Sequence, residues 1–266
     1  MRDPNANRTY LKTDRACQEL RRGGLVLLRL SNGAACLLQA AELASNVARD
    51  EMQRLAGSGA VLILTKARME SLGRQLEPEF SGASLPAHNL DRDQIELLAI
   101  DQPAAGILDR ATSLVGERRG SLADYATRLL RIAKLLPAAL VTRLPTRDSA
   151  FQKRLHEDNN LIVINDRDVD GYMDAAAQSL SIAARARVPL RVAPEAEVVM
   201  FRAKLGGDEH FAVIVGKVDP AGEPLVRLHS QCITGDVLGS LKCDCGEQLQ
   251  GALALMAEAG GGILVY

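Results

Sequence analysis

Tryptophan is absent from the 266-residue sequence, and aromatic residues make up only 3% of it. A surface on which nucleic-acid bases stack is therefore not expected. Because the formal net charge is −1, no bulk positive field attracts a nucleic acid polymer, and an anionic ligand must be held by local groups. No stretch reaches the roughly 18 consecutive apolar residues that a membrane span needs. The polar N-terminus lacks the apolar core of a signal peptide, so we expect a cytoplasmic protein without a membrane partner.

Cysteine is also scarce, and its five positions are unevenly distributed. In a reducing cytosol, cysteines are free thiols or metal ligands rather than disulfides. Cys17 and Cys36 stand alone and are expected to be small buried hydrophobes. Cys232, Cys243 and Cys245 instead cluster with the spacing C-x10-C-x-C. This cluster is the strongest chemical signal in the sequence.

The hydrophobic pattern alternates between buried strands and amphipathic helices, which predicts a mixed α/β (α+β) fold. We expect two domains, 1–185 and 186–266, because Pro189 and Pro194 follow a basic stretch near residue 185. Strands are predicted at 25–30, 36–41, 60–64, 96–100, 161–164, 197–203, 210–218, 225–228 and 263–265, helices at 49–55, 122–136 and 169–184, and a polar loop at 74–92.

Three thiolates that converge from a strand end and a turn suit tetrahedral zinc. From spacing alone, two kinds of zinc site are possible. In a structural site His229 is the fourth ligand, and in a catalytic site water takes the fourth position. A third interpretation is a group of buried or redox thiols without a metal.

A helix is predicted directly after the second and third cysteines. Asp244 and Glu247 have the spacing of a capping box, and Gly260 is the expected stop. Leu249, Leu253 and Met256 form its apolar stripe. The free amides at its N-terminus favour ionised thiols and anions nearby.

The segment from Arg227 to Gln248 resembles the signature of GTP cyclohydrolase II, and the resemblance extends from about Pro189 to Tyr266. It includes the cysteine spacing, the Thr234-Gly235-Asp236 turn, Gly239-Ser240-Leu241 and Asp244-Cys245-Gly246-Glu247-Gln248-Leu249. The resemblance implies one catalytic Zn²⁺ on Cys232, Cys243 and Cys245. It also implies Mg²⁺ with GTP, a homodimer of the intact protein, and hydrolysis of GTP with loss of formate and diphosphate in riboflavin biosynthesis. The positions that it assigns to GTP contacts are Arg227, Leu228, His229, Ser230, Gln231 and Gln248.

Two departures from this family stand out. Gln231 replaces a residue that is usually Glu, which removes a negative charge near the nucleotide and the metal. The family also continues beyond Tyr266 with a further GTP-contacting loop, an acid/base Asp and a nucleophilic Arg. We therefore expect a fragment that binds about one zinc and releases no formate alone. The alternatives are a non-catalytic zinc or nucleotide-binding regulatory module and a cyclohydrolase-like protein of pyrimidine catabolism.

The first 185 residues resemble 3,4-dihydroxy-2-butanone 4-phosphate synthase more weakly. The similarity rests on the following segments: Gly23-Gly24-Leu25-Val26, Asp109-Arg110-Ala111-Thr112, Ala126 to Lys134, Leu136-Pro137-Ala138-Ala139 and Leu161 to Ile164. The stretch from Leu30 to Cys36 has no carboxylate where that family has an acidic metal-binding loop. Leu122-Ala123-Asp124-Tyr125 and Val141-Thr142-Arg143 likewise replace functional segments. We expect a domain that kept its core and lost its site, with Glu42 solvated or structural.

Overall fold

The computed structural model describes residues 4–100, 105–108, 113–144, 153, 155–157, 160–203, 209–219 and 221–266. The chain divides into two compact units, Met1–Ala175 and Ala176–Tyr266. Each unit has its own sheet, which confirms the predicted mixed α/β class in two parts. The predicted similarity at Asp109–Thr112 lies outside the described residues.

Within the described residues, the first unit is built on a seven-stranded sheet with the order β5-β4-β3-β6-β2-β1-β7. Its strands are β1 (Val26–Arg29), β2 (Ala35–Ala40), β3 (Val61–Thr65), β4 (Phe80–Pro86), β5 (Val115–Arg118), β6 (Ala139–Arg143) and β7 (Ile162–Asn165). Its helices are α1 (Pro4–Arg21), α2 (Asn46–Ala56), α3 (Lys66–Ser71), α4 (Arg92–Ala99), α5 (Ala105–Leu108), α6 (Leu122–Ile132) and α7 (Asp166–Asp170). Neighbouring strands are antiparallel except β1 and β7, which are parallel.

Both faces of this sheet are buried, because successive residues of a strand point to opposite faces. On β2, for example, Leu37 belongs to one core cluster and Leu38 to the other. Helix α6 contributes Leu129 and Leu130 to the second cluster, and Met52 of α2 packs in the first. The isolated Cys17 and Cys36 are buried, as predicted. Glu42 accepts a hydrogen bond from the Leu136 amide, which is one of the two roles expected for it.

Two segments of the first unit differ from the sequence prediction. Residues 80–86, predicted as loop, form β4, in which Ala83 and Leu85 are buried. Residues 96–100, predicted as a strand, belong mainly to α4, which begins after a capping box of Asp91 and Gln94. The capping box fixes a helical start, and Ile95, Leu98 and Ala99 are buried at helical spacing.

Helix α8 (Tyr172–Ser179) leads to the sheet of the second unit, whose strand order is β11-β12-β10-β9-β8. The strands are β8 (Leu180–Arg187), β9 (Glu197–Ala203), β10 (Glu209–Gly216), β11 (Leu225–Leu228) and β12 (Gly261–Val265). Strands β11 and β12 are parallel, and the other pairs are antiparallel. The helix predicted to extend to residue 184 therefore ends earlier, and the predicted domain boundary at 185 falls inside β8.

Helix α9 (Cys245–Glu258) covers one face of this second sheet. Its residues Leu253 and Met256 pack with Val215 and Leu264 in the core, and Leu249 is partly buried against them. The predicted apolar stripe is thus confirmed. Strand β12 lies between β10 and β11, so the residues at its end are held close to the end of β11. No helix in the described part of the chain is long and apolar enough to cross a membrane.

Candidate metal centre

The three clustered cysteines meet at the end of β11 and the beginning of α9. Cys232 follows β11, and a turn at Ile233–Val237 leads back towards the helix, of which Cys245 is the first residue. The sulfur atoms of Cys232, Cys243 and Cys245 all lie within 4.8 Å of one another, and those of Cys232 and Cys243 are 3.8 Å apart. Two sulfurs bound to one tetrahedral zinc at about 2.3 Å are themselves about 3.8 Å apart. The donor set and its spacing therefore fit zinc.

Close backbone packing brings the two cysteine segments together. A Cβ on Gly246 would lie 2.5 Å from the carbonyl oxygen of Gly235, a distance that no side chain tolerates. Glycine at position 246 therefore lets the start of α9 pack against the turn that follows Cys232. This close approach places the two segments within reach of one ion.

The thiols are not equivalent. Hydrogen bonds from the Thr234 hydroxyl and the Gly235 amide lower the pKa of Cys232 to about 7. The neighbouring sulfurs of Cys232 and Cys243 raise the pKa of Cys245 to about 12. Three thiolates so close together repel one another, and a bound cation removes that repulsion. The electrostatics therefore favour a metal over a group of free thiols.

His229, the alternative fourth ligand, does not join this cluster. Among the described residues, the group of ligand atoms within 4.8 Å of one another contains only the three cysteines. The His229 ring is buried and stacks on Tyr266, and its Nε2 lies 3.2 Å from Oδ1 of Asp236. Its Nδ1 is buried without a hydrogen-bond partner. This geometry favours the site with an open fourth position over the closed structural site.

Asp236 contacts three residues in or next to the cysteine cluster: His229, Cys232 and Tyr266. Its carboxylate accepts hydrogen bonds from the Cys232 amide at 3.0 Å and the Tyr266 hydroxyl at 2.9 Å. Burial works against its ionisation, but these bonds and the His229 ring lower the pKa of Asp236 below its usual value. Sequence reasoning noted Asp236 only as part of a turn and gave Tyr266 no role, because no local pattern predicts their contact.

Arg227 and Gln248, two of the predicted GTP contacts, touch each other. The Arg227 guanidinium donates to Oε1 of Gln248, and Nε2 of Gln248 donates to the Asp244 carboxylate at 2.8 Å. Asp244 makes no side-chain bond to the helix amides, so the predicted capping box is wrong. Its carboxylate binds Gln248 instead, and the Nε atom of Arg227 is buried without a partner.

The other predicted contacts lie at the exposed end of β11. The Leu228 residue is 76% exposed, and Ser230 and Gln231 are also exposed. A cleft of about 820 Å³ runs along the turn and the first part of α9. Its lining includes Cys243, Lys242 and Glu247. One of the three cysteines therefore borders a space large enough for a small-molecule ligand.

In the first unit, the segments in which the synthase site is expected to be lost make contacts within the protein instead. The loop after β1 has no carboxylate of its own, but Asp166 binds both the amide and the hydroxyl of Ser31, at 2.7 and 2.9 Å. Arg143 forms an ion pair with Glu117, which also accepts from the buried Ser84 hydroxyl at 2.7 Å. The Arg143 charge is therefore already paired within the protein.

Comparison with known proteins shows which family the second unit is similar to. Residues 181–266 match the family model of GTP cyclohydrolase II. A GTP cyclohydrolase-2 from Azospirillum brasilense is 38% identical over 262 residues, which cover 95% of this chain and 66% of that protein. A GTP cyclohydrolase-2 from Xylella fastidiosa strain Temecula1 is 30% identical over 264 residues, 99% of this chain and 63% of its own length. The chain thus spans a little under two thirds of the length of these curated relatives, and both similarities include the first unit.

One solved structure that the chain matches is that of RibBX, a two-domain 3,4-dihydroxy-2-butanone 4-phosphate synthase from A. baumannii. It is 17% identical, with a TM-score of 0.48, and the match covers 95% of this chain and 80% of that one.

Proposed function

We propose that the protein containing this chain is a zinc-dependent GTP cyclohydrolase II of riboflavin biosynthesis. It would hydrolyse GTP to a phosphoribosylamino-pyrimidinone, formate and diphosphate. The observation that carries the proposal is the convergence of Cys232, Cys243 and Cys245 within 4.8 Å, inside the segment that matches this family. We also propose that the intact protein is cytoplasmic, that it forms a homodimer, and that Mg²⁺ accompanies the phosphates of the bound GTP.

The three cysteines would hold zinc and leave one position open. A zinc ion so bound lowers the pKa of coordinated water towards about 7 and supplies a nucleophile near neutral pH. The N-terminus of α9 lies at Cys245, and its partial positive charge favours thiolates and an anionic ligand. Lys242 lines the adjacent cleft and adds a full positive charge.

Two unpartnered polar atoms support the proposed GTP contacts. Nε of Arg227 and Nδ1 of His229 are both buried without a hydrogen-bond partner. Residues two apart on an extended segment point to the same side, and a buried polar atom without a partner costs about 1–3 kcal/mol. A ligand that accepts from Arg227 and donates to His229 would recover that cost. A GTP phosphate oxygen suits Arg227, and Gln248 holds the guanidinium in place.

The remaining proposed contacts are Leu228, Ser230 and Gln231, which lie beside these two residues along the chain. Their exposure leaves them free to meet a ligand. Gln231 offers an amide instead of a carboxylate, so it can donate and accept hydrogen bonds but cannot take up a proton near neutral pH.

The proposal is tested on the full-length protein by metal analysis and by formate release from GTP. We expect about one zinc per chain, and loss of both zinc and formate release in Cys243→Ser. Cys17→Ala, a small change at a buried cysteine outside the cluster, should keep both. A metal-free wild-type protein, or a zinc-loaded one that leaves GTP intact, would overturn the proposal, and the second result would favour a non-catalytic module.

For the first unit, we propose a synthase-like scaffold without the synthase activity. The support is the loop of 30–36, which has no carboxylate, and the pairing of Arg143 with Glu117. Mg²⁺ prefers oxygen ligands from carboxylates, and this loop offers none. The full-length protein should form no butanone phosphate from ribulose 5-phosphate in the presence of magnesium. Detection of that product would refute this part of the proposal.

A further inference from the structure

Asp236 is more enclosed than any other carboxylate around the cysteine cluster. Only 2% of its side chain is exposed. It lies in the turn that follows Cys232, and its own amide donates to the Cys232 carbonyl oxygen at 2.7 Å. A buried carboxylate is stable only when several hydrogen bonds satisfy it.

Three segments of the second unit provide those bonds. The Cys232 amide and the Tyr266 hydroxyl donate to Oδ2, and the Nε2 atom of His229 faces Oδ1. His229 follows β11, and Tyr266 follows β12. The carboxylate therefore ties the backbone of one sulfur ligand to the ends of two neighbouring strands.

The strand ends are fixed independently of Asp236. The His229 amide donates to the Val265 carbonyl oxygen at 2.8 Å, and Tyr266 exchanges two backbone hydrogen bonds with Phe211 of β10. The rings of His229 and Tyr266 stack with their centroids 5.8 Å apart. Because strand pairing holds the backbone of these two residues and their rings stack on each other, the carboxylate transmits their position to Cys232 rather than the reverse.

The same contact selects the tautomer of His229. An ionised carboxylate only accepts hydrogen bonds, so Nε2 carries the proton that faces Oδ1. In the neutral ring Nδ1 is then the acceptor, and it is the buried ring nitrogen without a partner. One carboxylate thus orients a sulfur on one side and an imidazole acceptor on the other.

We infer that Asp236 is a positioning residue that holds Cys232 for the metal and fixes the acceptor nitrogen of His229. The inference rests on the metal site of the proposed function. Substitution of Asp236 should weaken metal binding without unfolding the sheet, since the groups that Asp236 joins are anchored by strand pairing. Residues in this position around metal ligands typically contribute about 10- to 100-fold to metal affinity.

The test compares Asp236→Asn with Glu223→Gln, an equivalent loss of charge at an exposed position of the same unit. Metal affinity is measured by competition with a chromophoric chelator, and the Co²⁺ form is examined by absorption spectroscopy. We expect Asp236→Asn to bind zinc about 10- to 100-fold more weakly and to change the cobalt absorption bands, while Glu223→Gln matches wild type. An unchanged affinity and unchanged bands in Asp236→Asn would overturn the inference.

A milder variant covers the case in which Asp236→Asn fails to fold. Tyr266→Phe removes one donor to Asp236 and keeps the ring that stacks on His229, so metal affinity should fall by about two- to tenfold. Wild-type affinity in this variant would count against the inference. These readouts need no GTP turnover: weakened metal binding in a protein that does not hydrolyse GTP would contradict only the proposed function.

Discussion

Gly235 lies directly against the sulfur of Cys243. A Cβ on Gly235 would be 2.8 Å from that sulfur, 2.9 Å from the Cβ of Cys245 and 3.4 Å from the sulfur of Cys232. The space that a side chain would occupy is thus enclosed by all three cysteines. Glycine is required here for space, which connects the turn sequence directly to the geometry of the candidate metal site.

The first prediction concerns this contact. Gly235→Ala should reduce zinc affinity on the order of tenfold, because the methyl group pushes the Cys243 and Cys245 segments away from Cys232. Gly251→Ala is the matched control: its Cβ meets nothing within 4 Å, and alanine favours the helix. Chelator competition measures both variants. Equal zinc affinity in the two proteins would show that the sulfur positions are not constrained at Gly235.

The second prediction uses the different thiol pKa values in metal-free protein. Since the thiolate is the nucleophile, iodoacetamide should modify Cys232 slowly below pH 7 and faster as the pH rises through about 7, its pKa. Burial raises the pKa of Cys17 and Cys36 to about 12, so these thiols should stay unmodified in the folded protein. Mass spectrometry of labelled peptides follows each site.

Zinc provides the control for this labelling. Addition of one equivalent should protect Cys232, because the metal holds its lone pair. Labelling of Cys36 ahead of Cys232, or no effect of zinc, would contradict the assigned thiol environments.

The cysteine cluster could be predicted from sequence because its three members lie in one short segment. A strand end, a turn and a helix start bring Cys232, Cys243 and Cys245 together with little help from the rest of the chain. The role of Asp236 could not be predicted, because it depends on β12 lying beside β11 and so placing Tyr266 next to the turn. Contacts between distant parts of the chain have no local signature.

The errors in the predicted fold have similar causes. Residues 80–86 include Ser and Gly and resemble a loop, but they pair with β3 and β5, and the four residues from Gly82 to Leu85 are buried in the sheet. Residues 180–184 belong to the predicted helix 169–184, yet they form the first part of β8 because β9 is available as its partner. Tertiary pairing decides such segments more than local preference does.

The third prediction tests how β12 supports the site. Leu264 is fully buried in the core of the second unit, and Leu264→Ala should lower the free energy of unfolding by about 2–5 kcal/mol. Leu255 on α9 is 63% exposed, so Leu255→Ala should change the free energy of unfolding by no more than about 0.5 kcal/mol. Urea unfolding combined with amide hydrogen exchange in residues 209–266 measures both. A cost in Leu264→Ala no larger than that in the control would contradict the burial of β12.

The fourth prediction separates ligand contact from metal binding. Arg227→Ala should raise the KM for GTP by about 10- to 100-fold in the full-length protein, since a charge-assisted hydrogen bond to a phosphate is lost. Zinc content should not change, because Arg227 touches Gln248 and not the sulfurs. Arg227→Lys should recover part of the affinity, since it keeps the charge without the planar fork. Arg202→Ala, which removes an exposed arginine paired with Glu209 on the neighbouring strand, is the control and should keep the wild-type KM. If Arg227→Ala lost zinc or kept the wild-type KM, Arg227 would be part of the scaffold rather than a group that meets the nucleotide.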